Sequence, residues 1–368
     1  MPSSDGKIRY AVVGGGSISQ GAFMPGVSQT GNSTLAALVT GDSEKARQLA
    51  SRYQLKAWAY TDYAALLASG EIDAVYVATP NFRHREFVIP ALEAGIHVLL
   101  EKPMAASDDD CVAMRDAAQR TGTKLMIAYR LHCEPGTLEM IERVHSGEFG
   151  QPRLFTSIFT QTVKPSNHRA HSGFAAGPVA DMGPYPLNMV RQLFNAEPIE
   201  VSAIGSHSPG SQIDTWDTVN VSLRFPEERL AQFTVSYCLP DSERFQLLGT
   251  EGEIEASPCY GYGEDVAISY RATLDDTTRV HVHPVVDQFA GETAYFSDCI
   301  LNDQAPEPDG DEGWRDVRVI MAIERALVTG QAQTLEPLPA RRLPQRDQRR
   351  AFALAEVPPY VNTESPTE

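Results

Sequence analysis

The sequence predicts two folded domains: an α/β domain with a doubly wound parallel sheet, then an α+β domain with a large, mainly antiparallel open sheet. The chain has 368 residues, which is more than one hydrophobic core usually organises. Short β-rich runs alternate with longer helical patterns up to about residue 130, and consecutive strand patterns follow. We therefore predict domains at residues 1–130 and 131–330, followed by a Pro- and Arg-rich C-terminal arm at 331–368.

The first predicted domain contains five apolar runs typical of strands that are buried on both faces of a sheet. They lie at residues 8–13, 35–39, 74–78, 97–100 and 124–128. Helical apolar spacing separates them, at residues 22–29, 43–53, 63–69, 85–93 and 108–121. This alternation predicts crossover connections, which bring the carboxyl ends of all strands to one edge of the sheet.

The second predicted domain contains short strand patterns joined by turn residues, as expected of an antiparallel sheet. They lie at residues 153–160, 199–204, 218–225, 229–237, 245–249, 252–255, 267–270 and 279–283. Helical patterns lie at residues 137–145, 286–302 and 312–329.

Composition excludes several classes of protein. No apolar run approaches the roughly 18 residues of a membrane helix, and residues 1–7 lack the apolar core of a secretion signal, so we expect a soluble, cytoplasmic protein. Five cysteines without metal-ligand spacing predict free thiols and no metal site. The formal net charge of -17 disfavours nucleic acid as a partner, despite five arginines between residues 341 and 350.

A glycine-rich segment follows the first predicted strand. It reads Gly14-Gly15-Gly16-Ser17-Ile18-Ser19 and precedes a helical pattern. A loop in this place points backbone N–H groups and the positive end of a helix dipole at a pyrophosphate. We therefore predict a dinucleotide-binding Rossmann domain, and the alternative is an ordinary glycine turn. The predicted contacts are Gly14, Gly16, Ser17 and Ile18.

The end of the second predicted strand distinguishes NAD from NADP. An acidic side chain there would bind the ribose hydroxyls of NAD and repel the extra phosphate of NADP. Here Thr40 and Gly41 are uncharged, and Lys45 follows one helical turn later, where it can pair with a phosphate. These residues predict NADP. NAD stays open as the alternative, because Asp42 could accept the ribose hydroxyls and Lys45 could be a solvated helix residue.

Two more strand ends carry polar residues. Pro80 and Asn81 follow the strand at 74–78, and Glu101-Lys102-Pro103 follows the strand at 97–100. Open α/β sheets bind ligands at this edge, so we expect Lys102 beside the nicotinamide. An ammonium there can hydrogen-bond a reacting oxygen, and its charge would lower the pKa of a neighbouring acid-base group. The alternative is that Lys102 is a surface lysine.

Several motifs occur together in this chain. They are Gly14 to Gly16, Ile72-Asp73-Ala74-Val75-Tyr76, Glu101-Lys102-Pro103-Met104-Ala105, Lys124-Leu125-Met126-Ile127, Tyr129-Arg130, Asp181-Met182-Gly183-Pro184-Tyr185 and Asp316-Val317-Arg318. With these motifs the chain resembles the glucose-fructose oxidoreductase/inositol dehydrogenase (Gfo/Idh/MocA) family over about residues 7–330, and the glucose-fructose oxidoreductase-like subgroup in particular.

The resemblance implies that Lys102, Asp181 and Tyr185 surround the substrate. Tyr185 would be the acid-base residue, where many members have histidine, Lys102 would polarise the reacting oxygen, and Asp181 would hold sugar hydroxyls. Asp181 and Tyr185 stand four residues apart, where Pro184 and Pro186 predict a first helical turn, so their side chains would share a face. The helix N-terminus and Lys102 would both stabilise a phenolate. The alternative is that Asp181 is an N-cap and Tyr185 a core aromatic.

The resemblance also implies further cofactor contacts. Arg169 falls where relatives have a tryptophan-arginine pair, but His168 here replaces the tryptophan. His84 has the alternative of a polar residue at a helix start. The further candidates are Tyr60, Pro80, Asn81, His84, Glu101, Lys102, Arg130, Arg169 and Tyr262.

The resulting hypothesis is an NADP-dependent oxidoreductase that transfers a hydride between the nicotinamide and a sugar or polyol carbon. No metal is implied. The resemblance further implies a homodimer or homotetramer that pairs through the second-domain sheet, whose exposed face we expect to be unusually apolar. Two alternatives stay open: a non-catalytic NADP-binding regulator on the same fold, and a dehydrogenase or reductase of a non-sugar ring.

Overall fold

A computed structural model of the protein describes residues 6–367, so residues 1–5 of the lead-in, where no secretion signal is predicted, lie outside the described residues. The chain divides into two compact units. The first unit comprises Met1–Glu134, Val286–Trp314 and Gln348–Ser365, and the second comprises Pro135–Val285, Arg315–Asp347 and Pro366–Glu368. The chain therefore returns twice to the first unit after leaving it. The domain boundary at residue 130 stays a prediction.

The strands alternate with helices early in the chain and follow one another later. The strands are β1 (Ile8–Val13), β2 (Ser33–Val39), β3 (Lys56–Trp58), β4 (Ala74–Val77), β5 (His97–Leu100), β6 (Leu125–Ile127), β7 (Pro152–Thr162), β8 (Glu200–Ser206), β9 (Thr218–Phe225), β10 (Arg229–Ser236), β11 (Cys238–Gly249), β12 (Gly252–Ala256), β13 (Ser269–Leu274), β14 (Thr277–Val282) and β15 (Gln333–Thr334). The α-helices are α1 (Met24–Val27), α2 (Ser43–Tyr53), α3 (Tyr63–Leu67), α4 (His84–Glu93), α5 (Asp108–Thr121), α6 (Pro135–His145), α7 (Pro178–Asp181), α8 (Pro184–Phe194), α9 (Gln288–Leu301) and α10 (Gly310–Thr329).

The first unit is built on a six-stranded sheet in the order β3-β2-β1-β4-β5-β6, and every neighbouring pair is parallel. Its order reverses at β1, which is where ligands bind in such sheets. Helix α9 comes from late in the chain and packs over β1, where Tyr10, Phe23, Tyr76 and Phe296 belong to one buried core. The rings of Phe23 and Tyr76 stack with centroids 3.7 Å apart.

The second unit contains a nine-stranded sheet in the order β14-β13-β12-β11-β7-β10-β9-β8-β15. Its strands pair antiparallel except β7 and β10, which are parallel. The predicted fold class, a parallel α/β sheet followed by a mainly antiparallel open sheet, is therefore confirmed. The first half of β11 was missed because Pro240, Asp241 and Ser242 give it no apolar alternation.

The open face of this sheet is mixed in polarity. Along β9, buried Val219, Val221 and Leu223 alternate with exposed Asn220 and Ser222. The open face also carries polar and apolar residues on the other strands, namely Thr156, Gln232, Thr234, Arg244 and Gln246 with Ile158, Leu230 and Val280. The unusually apolar face and the homodimer or homotetramer through this sheet both stay predictions.

A buried charge network holds α8 in the second unit. The Arg191 guanidinium donates to both carboxylate oxygens of Glu197, at 2.7 and 2.9 Å, and to Asp316 Oδ1 at 2.6 Å. Arg315 donates to Glu197 at 2.8 Å. All four side chains are at least nine-tenths buried. The motif Asp316-Val317-Arg318 therefore contributes a buried ionic contact to the fold.

We predict that Arg191→Met destabilises the protein by about 3–5 kcal/mol, because it leaves two buried carboxylates short of their cation. Denaturant unfolding monitored by circular dichroism measures the change. The control is Arg224→Met, which removes an exposed pair with Glu228 and should change the free energy of unfolding by about 0–1 kcal/mol. Equal losses in the two variants would contradict this account of the network.

Candidate active site

The loop after β1 has the shape of a phosphate-binding turn. Gly14 has φ +100°, and a Cβ on it would stand 2.7 Å from the carbonyl oxygen of Ala78. Only glycine fits both constraints. The Gly14 N–H donates to the Val39 carbonyl at 3.0 Å, and its own carbonyl accepts from the Ser19 hydroxyl at 2.6 Å. Gly14 therefore allows the tight turn of the loop, while its N–H group is used in a hydrogen bond to β2.

Two features beside this loop fit a dinucleotide. A Cβ added to Gly16 would meet no atom within 4 Å, so the backbone here is open on the side that a pyrophosphate would approach. Thr79 Oγ1 lies at the end of β4, is buried, and has no hydrogen-bond partner among the described residues. Buried hydroxyls are usually satisfied, so this one suits a ligand. Ser17 and Ile18 are half-buried and lead into a π-helical turn, Ser19–Phe23.

The corner after β2 holds its acidic residue in place. Asp42 is the N-cap of α2, and its Oδ1 accepts from the backbone N–H groups of Glu44 and Lys45, both at 2.9 Å. Hydrogen bonding from the Lys45 backbone holds the Asp42 pKa below its usual range. One oxygen of this carboxylate, the alternative ligand for the ribose hydroxyls of NAD, is thus engaged in capping.

Aromatic and basic side chains surround the same corner. The Tyr60 ring covers the backbone at Gly41, 3.4 Å from where a Cβ would stand. The Lys45 stem passes 3.5 Å from a Cβ position on Gly15. The Arg83 guanidinium lies over the Tyr60 ring, 5.1 Å from its centroid, and the sequence analysis did not select it.

His84 joins two strand-end loops. It is 1% exposed, and its ring nitrogens lie 2.9 Å from the Thr79 carbonyl and 3.0 Å from the Met104 carbonyl. Burial lowers its pKa. His84 is also the first residue of α4, and it links the loop that carries Pro80 and Asn81 to the loop that carries Lys102. Its role as a cofactor contact stays a prediction.

Glu101 stands in a buried cluster of charges. Its carboxylate accepts from the Tyr76 hydroxyl at 2.5 Å and from the Lys102 backbone N–H at 3.2 Å. Arg130 is 4% exposed, donates to the side-chain amide oxygen of Gln288 and lies over the Phe289 ring. The structure thus places Arg130 in the interior near Glu101. Burial raises the pKa of Glu101, against the lowering effect of Lys102.

Glu292 on α9 belongs to this cluster and was missed by the sequence analysis. It is fully buried, and neither carboxyl oxygen has a hydrogen-bond partner among the described residues. Burial raises its pKa well above the usual range, and the charge of Glu101 raises it further. Burial therefore favours the protonated form of Glu292, which lies close enough to Glu101 for the two carboxyl groups to interact. Its sequence context, an apolar helix, gives no signal of this role.

In the second unit, Asp181 and Tyr185 occupy two helices. Asp181 is the last residue of α7, Pro184 is the first residue of α8, and Tyr185 is the second. Between the two helices the backbone stays right-handed helical at Met182 and Gly183, and a Cβ on Gly183 would collide with the Val179 carbonyl oxygen. The expectation that the two side chains share one face stays a prediction. Asp181 is not the N-cap of α8; Gly183 takes that place.

Three side chains converge on the Asp181 carboxylate. Arg169 Nε lies 3.2 Å from Oδ2, the Tyr237 hydroxyl lies 3.0 Å from the same oxygen, and the Gln161 amide lies 3.4 Å away. Tyr237 is fully buried. Neither Tyr237 nor Gln161 was predicted, because both read as ordinary strand residues. Asp181 is thus a fixed acceptor and not a freely rotating side chain.

Tyr185 lies in an aromatic group. Its ring packs against Phe159, with centroids 5.4 Å apart at 84°, and against Tyr260, with centroids 5.9 Å apart. The Arg169 guanidinium interacts electrostatically with Asp181, Tyr237, Tyr262 and Tyr185. Arg169 and Tyr262 therefore lie with Asp181 and Tyr185 in the second unit. Their predicted roles as cofactor contacts stay predictions.

The comparison with known families identifies the class of protein. Residues 8–129 match the profile of the oxidoreductase family with an NAD-binding Rossmann fold, and residues 137–255 match the GFO/IDH/MocA C-terminal domain. The chain belongs to the Gfo/Idh/MocA oxidoreductase family. The predicted family, enzyme class and nicotinamide dinucleotide cofactor are confirmed.

Individual relatives are similar along most of the chain. A D-xylose 1-dehydrogenase, NADP(+), from Haloarcula marismortui is 30% identical over 336 residues, covering 89% of this chain and 93% of the relative. A D-xylose 1-dehydrogenase (NADP(+)) from Haloferax volcanii is 28% identical over 329 residues, covering 89% and 99%. The crystal structure of aldose-aldose oxidoreductase from Caulobacter crescentus with glycerol is 32% identical, with TM-score 0.84, covering 89% of this chain and all of that one.

Residues 6–367 lack both a membrane-spanning helix and a metal-binding cluster. No helix in that range is long and apolar enough to cross a membrane. No group of three or more His, Cys, Asp or Glu side chains in that range could hold a metal ion.

We predict that Glu292→Gln flattens the dependence of stability on pH. In the wild type the folded state keeps a proton on Glu292 that the unfolded state releases near pH 4.3, so this group's contribution to stability falls as pH rises above that value. The variant should therefore lose up to about 1.4 kcal/mol less per pH unit than the wild type between pH 5 and 7. Denaturant unfolding at a series of pH values measures the slope.

The control for this experiment is Glu71→Gln, which changes a carboxylate that pairs with Lys56 at the surface. It should leave the slope unchanged. A Glu292→Gln slope that matches both the wild type and this control would show that Glu292 is ionised in the folded protein.

Proposed function

We propose that this protein is an NADP-dependent oxidoreductase that transfers a hydride between the nicotinamide and a sugar or polyol carbon. Family membership supports the class. The observation that carries the proposal is the Arg169 guanidinium, which contacts Asp181 at 3.2 Å and interacts with the Tyr185 phenol. A carboxylate held in place by a cation suits a substrate with several hydroxyl groups. A nearby phenol suits transfer of the proton from one of these hydroxyls.

The ribose corner supports NADP over NAD. Asp42 is engaged as the N-cap of α2, so it does not present a free carboxylate to the ribose. Thr40 and Gly41 are uncharged, and the Lys45 stem lies against the glycine loop, which brings a cation to the corner where the extra phosphate of NADP would lie. Relatives named for NADP(+) support the same choice.

Tyr185 moves the proton in the proposed reaction. During oxidation the sugar C–H bond breaks with its electron pair leaving as hydride, the O–H bond breaks, and Tyr185, as the phenolate, takes the proton as the C=O bond forms. During reduction the neutral phenol returns that proton. We assign stabilisation of the phenolate to Lys102 and the N-terminus of α8, and add Arg169, whose guanidinium is held by Asp181 at 3.2 Å.

Lys102 and Asp181 orient the substrate. We assign the Lys102 ammonium to the reacting oxygen, where its charge stabilises the partial negative charge of the transition state. Asp181 accepts hydrogen bonds from neighbouring hydroxyls, and its three partners keep it from rotating away. A bound nicotinamide supplies or accepts the hydride. The names of the relatives make aldoses such as D-xylose the first substrates to test.

We predict that Tyr185→Phe lowers kcat for aldose oxidation by about a hundredfold or more, because the proton then has no acceptor. The dissociation constant for NADPH should stay within about twofold, because the ring is retained. Stopped-flow absorbance at 340 nm with a panel of aldoses measures turnover, and fluorescence titration measures NADPH binding.

The matched control is Tyr260→Phe, which removes the hydroxyl of a neighbouring phenol that pairs with Ser157 at 2.9 Å. This variant should keep most of the activity. Equal losses in both variants would contradict the role of Tyr185. A wild-type protein that binds NADPH but oxidises and reduces no sugar or polyol would contradict the proposed substrate class.

A separate prediction concerns the cofactor. Lys45→Met should weaken NADP binding about tenfold or more and change NAD binding by less than about twofold, since only NADP has the phosphate that the ammonium would pair with. Calorimetric titration with both dinucleotides gives the ratio. Lys56→Met, an exposed lysine on β3, should leave the ratio unchanged. A Lys45→Met variant with an unchanged ratio would count against Lys45 as the phosphate ligand.

A further inference from the structure

Within the C-terminal arm predicted at residues 331–368, residues 348–365 belong to the first unit and are called the C-terminal segment below. Gln348 is fully buried, and its amide donates to the carbonyl oxygens of Glu307 and His132 at 3.0 and 3.3 Å. The Arg350 N–H donates to the Cys133 carbonyl at 3.0 Å, and the Phe352 carbonyl accepts from Asp287 at 2.9 Å. These contacts fix the start of the segment beside α9.

The end of the segment docks beside the glycine loop. Arg52 donates to the Pro359 carbonyl at 2.9 Å. Tyr360 packs so closely on Gly21 that a Cβ there would collide with its hydroxyl. Val361 is 4% exposed and belongs to the hydrophobic core of the first unit. Residues 359–361 thus occupy a fitted socket that includes a buried apolar anchor.

One buried side chain connects this socket to the phosphate loop. Gln20 is 2% exposed, and its carboxamide pairs with the backbone of Val361, accepting from its N–H at 2.8 Å and donating to its carbonyl at 3.0 Å. The same Nε2 donates to the Gly15 carbonyl at 2.9 Å. The middle residue of the glycine loop and the C-terminal segment therefore share one amide group.

The next residue of the segment reaches the ribose corner. The Asn362 amide lies 3.3 and 3.4 Å from the two oxygens of Asp42, the residue that caps α2. These bonds are long and exposed, so they add less than the Gln20 contacts do. The segment nevertheless contacts both parts of the candidate dinucleotide site: the glycine loop through Gln20 and the ribose corner through Asp42.

We infer that residues 359–362, docked through Gln20, are positioning residues for the dinucleotide, so that cofactor retention depends on the C-terminal segment. Gly15 and its neighbours must hold their N–H groups in place before a pyrophosphate arrives, and Gln20 fixes one of their carbonyls only while its amide is held by Val361. Without the segment, the loop would have to become ordered when the dinucleotide binds, and this cost would weaken binding. The inference rests on the dinucleotide site of the proposed function and not on the sugar chemistry.

Thermodynamic linkage gives a second consequence. If docking of the segment strengthens dinucleotide binding by some factor, then the dinucleotide strengthens docking by the same factor. NADPH should therefore slow hydrogen exchange of the Val361 amide, which is bonded to Gln20. A segment that only stabilises the fold would slow no more than the core amides that exchange by global unfolding.

The experiment compares Val361→Asp with Val357→Asp in the full-length protein. Val361→Asp places a carboxylate in the core and expels the segment, whereas Val357 is 51% exposed and its variant adds the same charge harmlessly. The release rate of NADPH, measured by displacement with excess NADP and followed by fluorescence, should increase about tenfold or more in Val361→Asp, which corresponds to about 1.4 kcal/mol. Val357→Asp should match the wild type.

A second variant keeps the test valid if Val361→Asp folds poorly. Gln20→Glu has the same size, still accepts from Val361, and cannot donate to either carbonyl. It should also release NADPH faster. Wild-type release rates in both variants, or Val361 exchange that NADPH leaves unchanged, would overturn the inference. A protein that binds NADPH but turns over no sugar would contradict the proposed function alone. A preference for NADH would contradict the proposed cofactor, and the same comparison would then be made with NADH.

Discussion

Much of the chemistry of the first unit follows from one tight contact, in which the backbone of Gly14 passes the Ala78 carbonyl with no room for a side chain. Strands β1 and β4 are neighbours at the point where the sheet order reverses, so their following loops must leave side by side. The contact sets the position of Thr79, whose buried hydroxyl has no hydrogen-bond partner within residues 6–367. The His84 ring contacts both the Thr79 carbonyl and the Met104 carbonyl, so it links Thr79 to the loop that carries Lys102.

The two units manage buried charge in different ways. In the first unit, burial raises the pKa of Glu101 and Glu292, and that of Glu292 more strongly. In the second unit, Asp181 is half-buried and contacts a guanidinium and a phenol. A buried acid without a cation suits a structural position, and a carboxylate held by a cation suits recognition of hydroxyl groups. The different environments therefore match the different roles that we propose.

The sequence predicted the fold class well because strand alternation and buried runs are local signals. It also selected the glycine loop, because a motif between a strand and a helix has one geometric meaning. It could not predict the partners of Asp181, since Tyr237 and Gln161 come from distant strands that read as ordinary sheet. It missed Glu292 because that residue lies in an apolar helix. It missed the Gln20–Val361 pair because this contact joins segments far apart in the chain.

The central claim is that hydride passes directly between a sugar carbon and the nicotinamide of NADP. The measurement that tests it most directly is incubation of the protein with NADP and an aldose deuterated at the carbon that is oxidised, followed by mass spectrometry and proton NMR of the reduced cofactor. Our account predicts NADPH with the deuterium at C4 of the nicotinamide, on one face of the ring only. Reduced cofactor without deuterium, or no reduction with any sugar or polyol, would contradict it.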